Sequence, residues 1–574
     1  MDNLAIARTL GEIADLLEIK NDNPFKIRAY RNGADIVANH PHDLASLDPA
    51  GLREIPGIGK DLALRIREIA DTGVSQFHRE LVAELPPTIL DLLHLQGIGP
   101  KTVATFYREL NVCTLDDLER AANDGRIRAL RGMGAKKEAL ILKALDERKR
   151  HAGRHLLPDA HEAAAALVDF LHECAPNADI MPVGSLRRGC DTCGDLDILT
   201  CGADVSLMDD FVGYRPVERV LGRGETKSSV LIRGGFQADL RLVPSESRGA
   251  AMQYFTGSKA HNIVLRDRAM GLGLKLNEYG LFRIADNACI AGEHEEDIYQ
   301  ALGLDWVPPE LRESRGEIEA AAAHVLPSLI DRADLRGDLH MHSTETDGRD
   351  DVLTMAEAAR EAGLAYIAIT DHSKALAMAN GLDEPRALQH AARIRAADGV
   401  AGGVRLLAGI ECDIRPDGSL DLADDCLAAL DLVVASVHSA FNQDRHQMTE
   451  RLLRAIDNPY VDILGHPTGR LILRREGYAF DVEAVADAAA RRGVALEINC
   501  QVDRLGLSDV HAKLARDRGV PLVISSDAHS RRALGTLRWG VVVARRAWLR
   551  AHDVLNTRPF DEFRAALRRH RARP

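Results

Sequence analysis

Two short stretches of the sequence carry metal-ligating side chains two residues apart. In "DLHMHSTETDG" the pair is His340 and His342, followed by the acid Asp347, and in "GDLDIL" the pair is Asp195 and Asp197. Residues i and i+2 of a β-strand point to the same face, so each pair can converge on one ion. The two stretches therefore predict two metal sites of different chemistry.

A third carboxylate completes the upstream site. The stretch "SVLIRGGFQADLRLV" predicts a β-hairpin with Gly234 and Gly235 as a two-residue turn, and alternation along its second strand turns Asp239 away from the apolar face. Bringing Asp239 beside Asp195 and Asp197 costs several kcal/mol of repulsion unless cations neutralise the three charges. Oxygen ligands without histidine favour Mg²⁺ or Mn²⁺.

The downstream site is larger, because nine potential ligands fall at or just beyond the ends of predicted strands. They are His340, His342, Asp347, His372, Glu411, His438, His466, Asp527 and His529. A lone histidine in a strand is usually structural, but nine such residues at one rim are too many for that interpretation. The mixture of imidazole and carboxylate suits Zn²⁺, Mn²⁺ or Fe²⁺, and the number of ligands suits two or three ions.

The elements that must position these ligands are seven alternating strands and helices in the last 240 or so residues. The strand candidates are "GDLHMH", "YIAITDH", "RLLAGIECDI", "LDLVVASVH", "VDILGH", "VALEIN" and "PLVISSDAH", with helices such as 352–362 and 482–492 between them. Seven such units predict a closed parallel barrel with its chemistry at the carboxyl ends of the strands. A charged, Ala-rich helical connector is expected just upstream, over residues 313–334.

The first 150 residues read as short helices broken by glycine. One pattern, an apolar helix, a Gly-x-Gly turn and a second helix, occurs three times, in "LREIPGIGKDLALRIREI", "LLHLQGIGPKTVATFYREL" and "IRALRGMGAKKEALILKAL". Backbone N–H groups at the start of each second helix can receive a phosphate. The stretches resemble helix-hairpin-helix motifs, which grip the DNA backbone; ordinary helical hairpins are the alternative. The resemblance implies DNA contacts by Gly57, Gly59, Lys60, Gly97, Gly99, Lys101, Gly132 and Gly134.

Composition limits the possible partners and location. The net charge of −13 opposes binding to nucleic acid, but residues 126–154 hold ten Lys and Arg against three Asp and Glu, and local surface is what meets phosphate. No apolar run approaches the roughly 18 residues of a membrane span. Nine scattered cysteines argue against a disulfide framework, and the CxxC of Cys190 and Cys193 has no second pair nearby. We expect a cytoplasmic protein with no membrane partner.

The motifs "GSLRRG…GDLDIL", "ADLRLV" and "YFTGSKAHNIVLRDRA" occur in that order and resemble the nucleotidyltransferase core of family X DNA polymerases. The resemblance extends from the N-terminus to about residue 310. It implies that Asp195, Asp197 and Asp239 are catalytic Mg²⁺ ligands. It assigns nucleotide contacts to nine residues: Ser185 and Arg188 at the triphosphate, Lys259 as a further cation, Arg266 on the template side, and Gly194, Tyr254, Phe255, Gly257 and Asn262 in the pocket.

The amino-terminal domain of that family is also recognisable. The stretch "NPFKIRAYRNGADIV" places Lys26 and Tyr30 as in the family's 5′-phosphate pocket. The position that resembles the Schiff-base lysine of the lyase members is Arg65 here. A guanidinium stays protonated and is a poor nucleophile, so this chain departs from the lyase pattern.

The downstream motifs "HMHSTETDG", "TDHS", "GIECD", "SVHS", "GHP" and "SSDAH" are similar to those of the PHP (polymerase and histidinol phosphatase) family. The resemblance covers residues 335–574 and implies a metal-dependent 3′→5′ exonuclease that uses Mn²⁺ or Zn²⁺, with abasic-site endonuclease or 3′-phosphatase activity as further expectations. The expected substrates are gapped or 3′-ended DNA and deoxynucleoside triphosphates, handled by a monomer. Two alternatives stay open: a small-molecule phosphoesterase and a non-catalytic scaffold for DNA ends.

These observations predict a multidomain fold. An all-α helix-hairpin-helix region is followed by an α+β nucleotidyltransferase core and a distorted (β/α)7 PHP barrel. The expected divisions are a helical domain with the first motif (1–85), a helical subdomain with the other two motifs (86–154), a palm (155–245), a nucleotide-contacting subdomain (246–312), the connector (313–334) and the barrel (335–574).

Overall fold

The structure is a computed structural model that describes residues 3–39, 44, 47–95, 98–151, 153–400 and 402–567. The chain divides into two compact units, residues 1–152 and residues 153–574. Within the described ranges, no helix is both long enough and apolar enough to cross a membrane.

The N-terminal unit is all-α, as predicted. Its helices are α1 (Asn3–Ile19), α2 (Pro24–Asn39), α3 (Pro49–Arg53), α4 (Lys60–Thr72), α5 (Gln76–Glu84), α6 (Pro100–Leu110), α7 (Leu115–Asn123) and α8 (Ala135–His151), with a 3-10 helix over Pro87–His94. Leu10, Leu17 and Phe106 are fully buried at the centre of one apolar core. Short helices of this kind are stable because they share that core, since few of them are long enough to be stable alone.

The Gly-x-Gly turns lie where the sequence predicts, directly before α4, α6 and α8. Gly59 and Gly99 are the N-caps of α4 and α6 and provide no side-chain cap, so the first N–H groups of both helices are open to an external acceptor. The predicted first helix of the third motif is wrong, because residues 124–132 form turns. Gly125 and Gly132 both adopt positive φ, and the interval between them is too short for a stable helix.

The first part of the second unit, residues 153–334, contains three small sheets and several helices. The helices are α9 (Leu157–Cys174), α10 (Gly184–Arg187), α11 (Leu207–Val212), α12 (Arg248–Thr256), α13 (Lys259–Gly271), α14 (Glu295–Ala301) and α15 (Glu317–Ala322). The strands are β1 (His155–Leu156), β2 (Asp179–Pro182), β3 (Thr192–Cys193), β4 (Asp195–Cys201), β5 (Val217–Arg223), β6 (Lys227–Ile232), β7 (Phe236–Val243), β8 (Leu274–Asn277), β9 (Gly280–Arg283) and β10 (Cys289–Ala291).

The largest of these sheets has five strands in the order β2-β4-β7-β6-β5. Strands β4 and β7 are parallel, and their register pairs Asp197 with Asp239. The predicted hairpin forms between β6 and β7, but its loop is one residue longer than predicted. Ile232 pairs with Phe236, which leaves Arg233 in the loop beside two glycines of positive φ.

The predicted helical connector over residues 313–334 is wrong over most of its length. It contains one helix of six residues, α15, and a 3-10 turn over Arg332–Asp334. The high alanine content favours a helix, but His324 adopts a positive φ just after α15 and Pro327 follows three residues later. Proline removes a backbone donor and restricts the residue before it, so the helix does not resume and residues 325–331 have no regular secondary structure.

The C-terminal part is a seven-stranded parallel sheet in sequence order, as predicted. Its strands are β11 (Gly337–Asp338), β12 (Tyr366–Ile369), β13 (Arg405–Asp413), β14 (Leu432–Ser436), β15 (Ile463–Leu464), β16 (Ala495–Asn499) and β17 (Leu522–Ser525). Its helices are α16 (Val352–Glu361), α17 (Glu384–Ala397), α18 (Asp424–Ala429), α19 (Arg445–Asp457), α20 (Val482–Arg492), α21 (Asp509–Asp517), α22 (Leu537–Arg546) and α23 (Phe560–Ala566).

The first and last strands of this sheet come together and nearly close a barrel. Met341 forms a parallel bridge with Ala528, and the backbone N–H of His342 donates to the Ala528 carbonyl at 2.8 Å. The Asp338 carboxylate accepts from the backbone N–H of Ser526 at 3.0 Å. These contacts join the ends of the sheet, so every strand presents its carboxyl end to one shared rim.

A buried ion network joins the five-stranded sheet region to α14. The Glu295 carboxylate, 3% exposed, accepts from Arg187 at 2.9 and 3.0 Å and from Arg312 at 2.6 Å. Burial alone would raise the pKa of Glu295, but the guanidinium groups of Arg312 and Arg187 outweigh burial and lower this pKa to about 2. The acid is therefore ionised throughout the neutral range.

We predict that Glu295→Ala lowers the free energy of unfolding by about 3–5 kcal/mol, because it leaves two buried guanidinium groups without a counter-ion. Since folding lowers the pKa of Glu295, the difference from the parent is complete above about pH 5 and shrinks as the pH falls towards 2. Chemical denaturation at several pH values measures both effects. The exposed neighbour Glu296→Ala is the control, and an equal loss in both variants contradicts the prediction.

Candidate active sites

The first candidate site is the aspartate pocket, defined by Asp195, Asp197 and Asp239 at the start of β4 and on β7. Leu196 is fully buried on the opposite face of β4, and this packing aims the two flanking carboxylates into the pocket. Burial and the neighbouring carboxylates Asp195 and Asp239 raise the pKa of Asp197 to about 6. This crowding of negative charge suits a site that binds divalent cations.

Lys227 on β6 was missed by the sequence analysis and occupies one side of this cluster. Its Nζ lies 2.6 Å from Asp239 Oδ2, and Gln237 Nε2 donates to Asp239 Oδ1 at 3.2 Å. Burial alone would raise the pKa of Asp239, but these hydrogen bonds outweigh it and lower the pKa. Among the described residues, the three aspartates do not bring one oxygen each within 4.8 Å of the others. The hairpin predicted from the sequence pairs the strand of Lys227 with the strand of Asp239, so this contact could have been expected from strand pairing.

The aspartate pocket opens into a cavity of about 570 Å³. All nine predicted nucleotide-contacting residues line it together with Asp195 and Asp197: Ser185, Arg188, Gly194, Tyr254, Phe255, Gly257, Lys259, Asn262 and Arg266. Arg154, Gly184 and Thr256 also line it and were not predicted. Arg154 is fixed by Thr192, whose hydroxyl accepts from its Nε at 2.8 Å. The cavity thus combines cations, carboxylates and aromatic rings, as a nucleoside triphosphate site requires.

The second candidate site is the histidine cluster, which contains all nine ligands predicted from the barrel sequence. They lie at or just after the carboxyl ends of β11, β12, β13, β14, β15 and β17. Three overlapping groups bring one ligand atom per residue within 4.8 Å: His342, Asp347, His372 and His529; His340, His342 and Asp527; His372, Glu411 and His438. His466 joins through its Nε2, 2.9 Å from Glu411 Oε1.

The donor set of the histidine cluster fits metal ions. The ring nitrogens His340 Nε2, His342 Nδ1, His372 Nδ1 and His438 Nδ1 are buried and make no hydrogen bond of acceptable geometry to any described residue. Burying a ring nitrogen without a hydrogen-bond partner costs free energy unless a ligand binds that nitrogen. These nitrogens point towards carboxylates, for example His372 Nδ1 at 2.8 Å from Glu411 Oε2, so a shared cation between them satisfies both kinds of group.

Charge is unevenly distributed within this cluster. Burial, with His529 and His372 close by, lowers the pKa of His342 to about 4, so this imidazole is neutral and ready to bind a cation. Burial also opposes protonation of His372, but the Glu411 and Asp347 carboxylates outweigh it and raise its pKa to about 10. The Glu411 and Asp347 carboxylates therefore stabilise a positive charge at this point, either a proton on His372 or a bound metal ion.

Glu497 on β16 belongs to the same cluster and was missed. It is fully buried, its Oε1 lies 2.7 Å from His340 Nδ1, and its Oε2 accepts from the His466 N–H at 2.6 Å. A carboxylate on the far ring nitrogen fixes which nitrogen of His340 faces the ligand. The sequence signal existed, because "VALEIN" was recognised as a strand whose acid lies near its carboxyl end.

In the N-terminal unit, the predicted phosphate-pocket residues gather around Phe77. Lys26 Nζ lies 4.5 Å from the centre of that ring, the tilted ring of Tyr30 is 6.0 Å away between centroids, and the Arg65 guanidinium lies 5.2 Å away. The cluster offers cations for a phosphate. Arg65 Nη1 also donates to Glu68 Oε2 at 3.0 Å, so part of its guanidinium already has an acidic partner.

The glycine-turn residues are placed as follows. Lys60 begins α4 and Lys101 lies in the first turn of α6, both exposed next to the uncapped helix starts. Gly57 and Gly132 adopt the positive φ that a tight turn requires. Gly59 and Gly134 end their turns, and Gly99 does the same in the second motif. The prediction for Gly97 lies outside the described residues.

Five family models match the chain in order along its length. They are a helix-hairpin-helix domain at residues 1–75, a SAM-like helix-hairpin-helix tandem at 89–147, the DNA polymerase beta palm at 158–223, the DNA polymerase beta thumb at 251–313 and the PHP domain at 338–501. The two candidate sites lie in different parts of this series. Most residues of the aspartate pocket fall in the palm and thumb matches, with Asp239 between the two, and most of the histidine cluster falls in the PHP match.

A relative spans nearly the whole chain. The DNA polymerase/3′-5′ exonuclease PolX of Bacillus subtilis is 37% identical over 98% of this chain and 99% of its own. A "Probable phosphatase" of Shewanella sediminis is 34% identical over 39% of this chain and 89% of its own. The solved ternary complex of Leishmania infantum polymerase beta matches 40% of this chain and 98% of its own at 20% identity, with a TM-score of 0.27, too low to bear on the fold.

The fold and the two sites define a multidomain protein in which helix-hairpin-helix elements, a polymerase-beta-type palm and thumb, and a PHP barrel follow one another in one chain. The Bacillus subtilis relative carries this similarity through every one of these parts. The chain belongs to the family X DNA polymerases that have a C-terminal PHP domain.

We predict that Glu497→Gln weakens metal binding at the histidine cluster by about 10- to 100-fold, because His340 loses the carboxylate that orients it. Calorimetric titration of the metal-free chain with Mn²⁺ measures the affinity directly. Glu357→Gln, on the exposed face of α16, is the control. Unchanged Mn²⁺ affinity in the Glu497 variant would remove this residue from the site.

Proposed function

We propose that this protein is a DNA-directed DNA polymerase that fills short gaps during repair and carries a 3′→5′ exonuclease in its PHP barrel. The observation that supports this most directly is the aspartate pocket, in which acids, cations and aromatic rings line one cavity. The similarity to a polymerase and exonuclease over almost the full length agrees with two activities in one chain. We further propose that it acts as a monomer in the cytoplasm.

In the polymerase reaction, the chain's cationic side chains hold the incoming nucleotide. Arg188, Lys259 and Arg154 offer donors to the triphosphate, and Tyr254 and Phe255 border the base and sugar. Two Mg²⁺ ions held by Asp195, Asp197 and Asp239 would activate the 3′ hydroxyl and stabilise the leaving pyrophosphate. Lys227 holds Asp239 in place on its strand before the nucleotide arrives.

In the exonuclease reaction, the histidine cluster positions a phosphodiester at the rim of the barrel. Two or three Mn²⁺ or Zn²⁺ ions bound there would activate water at neutral pH and bind the phosphate oxygens. Neutral imidazoles such as His342 are the competent ligands, and Glu497 keeps His340 oriented. Asp347 is exposed and His529 is half-buried, and we propose that a DNA end enters from the side on which they lie.

A second candidate activity is hydrolysis of phosphate monoesters by the same barrel, either at 3′-phosphate ends of DNA or on a small molecule. The similarity to a protein named "Probable phosphatase" supports it. Assay of the full chain on 3′-phosphorylated DNA, 3′-hydroxyl DNA and histidinol phosphate separates these possibilities. The helix-hairpin-helix elements favour the DNA substrates, because a small molecule would leave them without a ligand.

We predict that the two sites fail independently when their ligands are removed. The double variant Asp195→Ala with Asp197→Ala should lose nucleotide addition and keep 3′-end degradation, and His340→Ala with His342→Ala should do the reverse. A paired assay on one gapped substrate, with Mg²⁺ and Mn²⁺ supplied and the metal content of each protein measured, tests both. Gap filling lost in the histidine variant would mean that the cluster supports the polymerase fold.

We predict that Lys60 and Lys101 each contact a DNA phosphate, because both lie beside uncapped helix starts. Replacing either by Ala should weaken binding to all DNA sequences alike and flatten the slope of log K against log salt by about 0.9 per contact. Fluorescence anisotropy at several salt concentrations measures the slope. Lys20→Ala, which removes a lysine paired with Glu84, is the control, and equal slopes in all variants contradict the prediction.

A further inference from the structure

One helix of the barrel packs directly against the wall of the aspartate pocket. Gly189 follows Arg188 and adopts a positive φ of 64°, and a Cβ built on it would lie 2.3 Å from Val542 Cγ1 of α22. Only glycine fits so close to this helix. The barrel and the pocket therefore meet at the residue next to a triphosphate-binding arginine.

A chain of hydrogen bonds crosses this contact and ends in the cavity. Arg546 on α22 donates from Nη1 to the Arg188 carbonyl at 2.7 Å and to Glu313 Oε1 at 3.0 Å. The same oxygen of Glu313 accepts from Arg188 Nε at 3.0 Å, and Arg188 Nη1 donates to the Thr256 carbonyl at 2.6 Å. At the other end, Arg546 Nη2 donates to Asp509 on α21 at 2.9 Å.

These contacts determine how much positive charge Arg188 presents to the cavity. If Glu313 paired with Arg188 alone, the negative charge of its carboxylate would offset the positive charge that the Arg188 guanidinium offers to the triphosphate. Arg546 shares the carboxylate and is 8% exposed in its side chain, so its charge offsets Glu313 from the barrel side. Burial would raise the pKa of Glu313, but Arg188 and Arg546 outweigh burial and lower it, so the acid is ionised.

We propose that Arg546 of the PHP barrel is a positioning residue for the polymerase reaction, which holds Glu313, offsets its negative charge, and so keeps Arg188 oriented and available to the nucleotide triphosphate. This inference rests on the proposed polymerase function. It makes the barrel a functional part of the nucleotide site as well as the location of the histidine cluster.

The test compares Arg546→Gln with Arg545→Gln in the full chain. Arg546→Gln should raise KM for the deoxynucleoside triphosphate by about tenfold, with kcat at saturating nucleotide nearly unchanged, because one charge-assisted contact is lost behind Arg188. Arg545 is the matched control: it lies on the same helix and crosses the same interface to Glu310 at 2.7 Å and the Ile330 carbonyl at 3.0 Å, away from Arg188. Its variant should keep the parental KM.

A charge rescue separates positioning from general stability. In Arg546→Gln, Asp509 keeps Arg315 as a partner at 2.9 Å, whereas Glu313 is left with the guanidinium of Arg188. Adding Glu313→Gln should therefore bring KM back towards the parental value, whereas a purely structural role predicts a further rise. Degradation of single-stranded DNA should stay at the parental rate in Arg546→Gln and Arg545→Gln.

Each contrary result overturns the inference. The inference fails if KM rises equally in Arg546→Gln and Arg545→Gln, or if KM is unchanged in Arg546→Gln. It also fails if the double variant has a higher KM than the single variant. If the parental chain adds no nucleotide at all, the proposed polymerase function fails together with the inference. If the parent extends primers and only the KM pattern is absent, the inference alone fails.

Discussion

The fully buried carboxylate of Glu411 is the constraint around which the barrel is organised. Five imidazoles surround it, from His372 at 2.8 Å to His342 at 3.7 Å, with His466, His438 and His340 between. An ionised carboxylate without partners costs several kcal/mol to bury, so these rings must all arrive at one point. A parallel barrel can achieve this, because neighbouring strands end at the same rim. Because Met341 and Ala528 close the barrel, the ligands that follow the first strand lie close to those that follow the last strand.

In the aspartate pocket, too, neighbouring groups compensate the negative charge of carboxylates, but they are fewer and less buried. Two parallel strands bring Asp197 and Asp239 into register, and Lys227 compensates part of their charge. The cavity beside the aspartates is open to solvent. Burial is shallower here than in the histidine cluster, in keeping with the exchange of nucleotide and pyrophosphate proposed for this site.

Much of the architecture could be predicted because its signals are local. The seven strands of the barrel were recognisable as apolar runs, most of them ending in His, Asp or Glu, and the i, i+2 pairs placed His340 with His342 and Asp195 with Asp197. The helical connector was misjudged because alanine content is a weak local preference, while His324 and Pro327 act on single backbone positions. The predicted first helix of the third Gly-x-Gly motif is absent for a similar reason, because Gly125 and Gly132 both adopt a positive φ and turn the chain.

The residues that were missed act across the fold. Glu497 contacts His340 157 positions away, and Lys227 reaches Asp239 from the neighbouring strand. Arg546 and Arg188 are 358 positions apart. No spacing in the sequence encodes the pair of Arg546 and Arg188. Glu497 and Lys227 carried weak signals, since one lies in a recognised strand and the other on the strand that pairs with that of Asp239, but neither signal identified the partner. Their partners become visible once the strand register and the packing of α22 are known.

The close contact of Gly189 with α22 has a consequence for how such a chain can change over evolutionary time. The apolar core is continuous from Leu157 and Leu186 through to Val541 and Leu549, so the synthetic and degradative parts share one interior. A lineage that discarded the barrel would expose this apolar wall and would have to replace it residue by residue. Loss of nuclease activity is then easier to reach by erosion of individual ligands than by deletion. Relatives with a degenerate histidine rim on an intact barrel are the expected outcome of such decay.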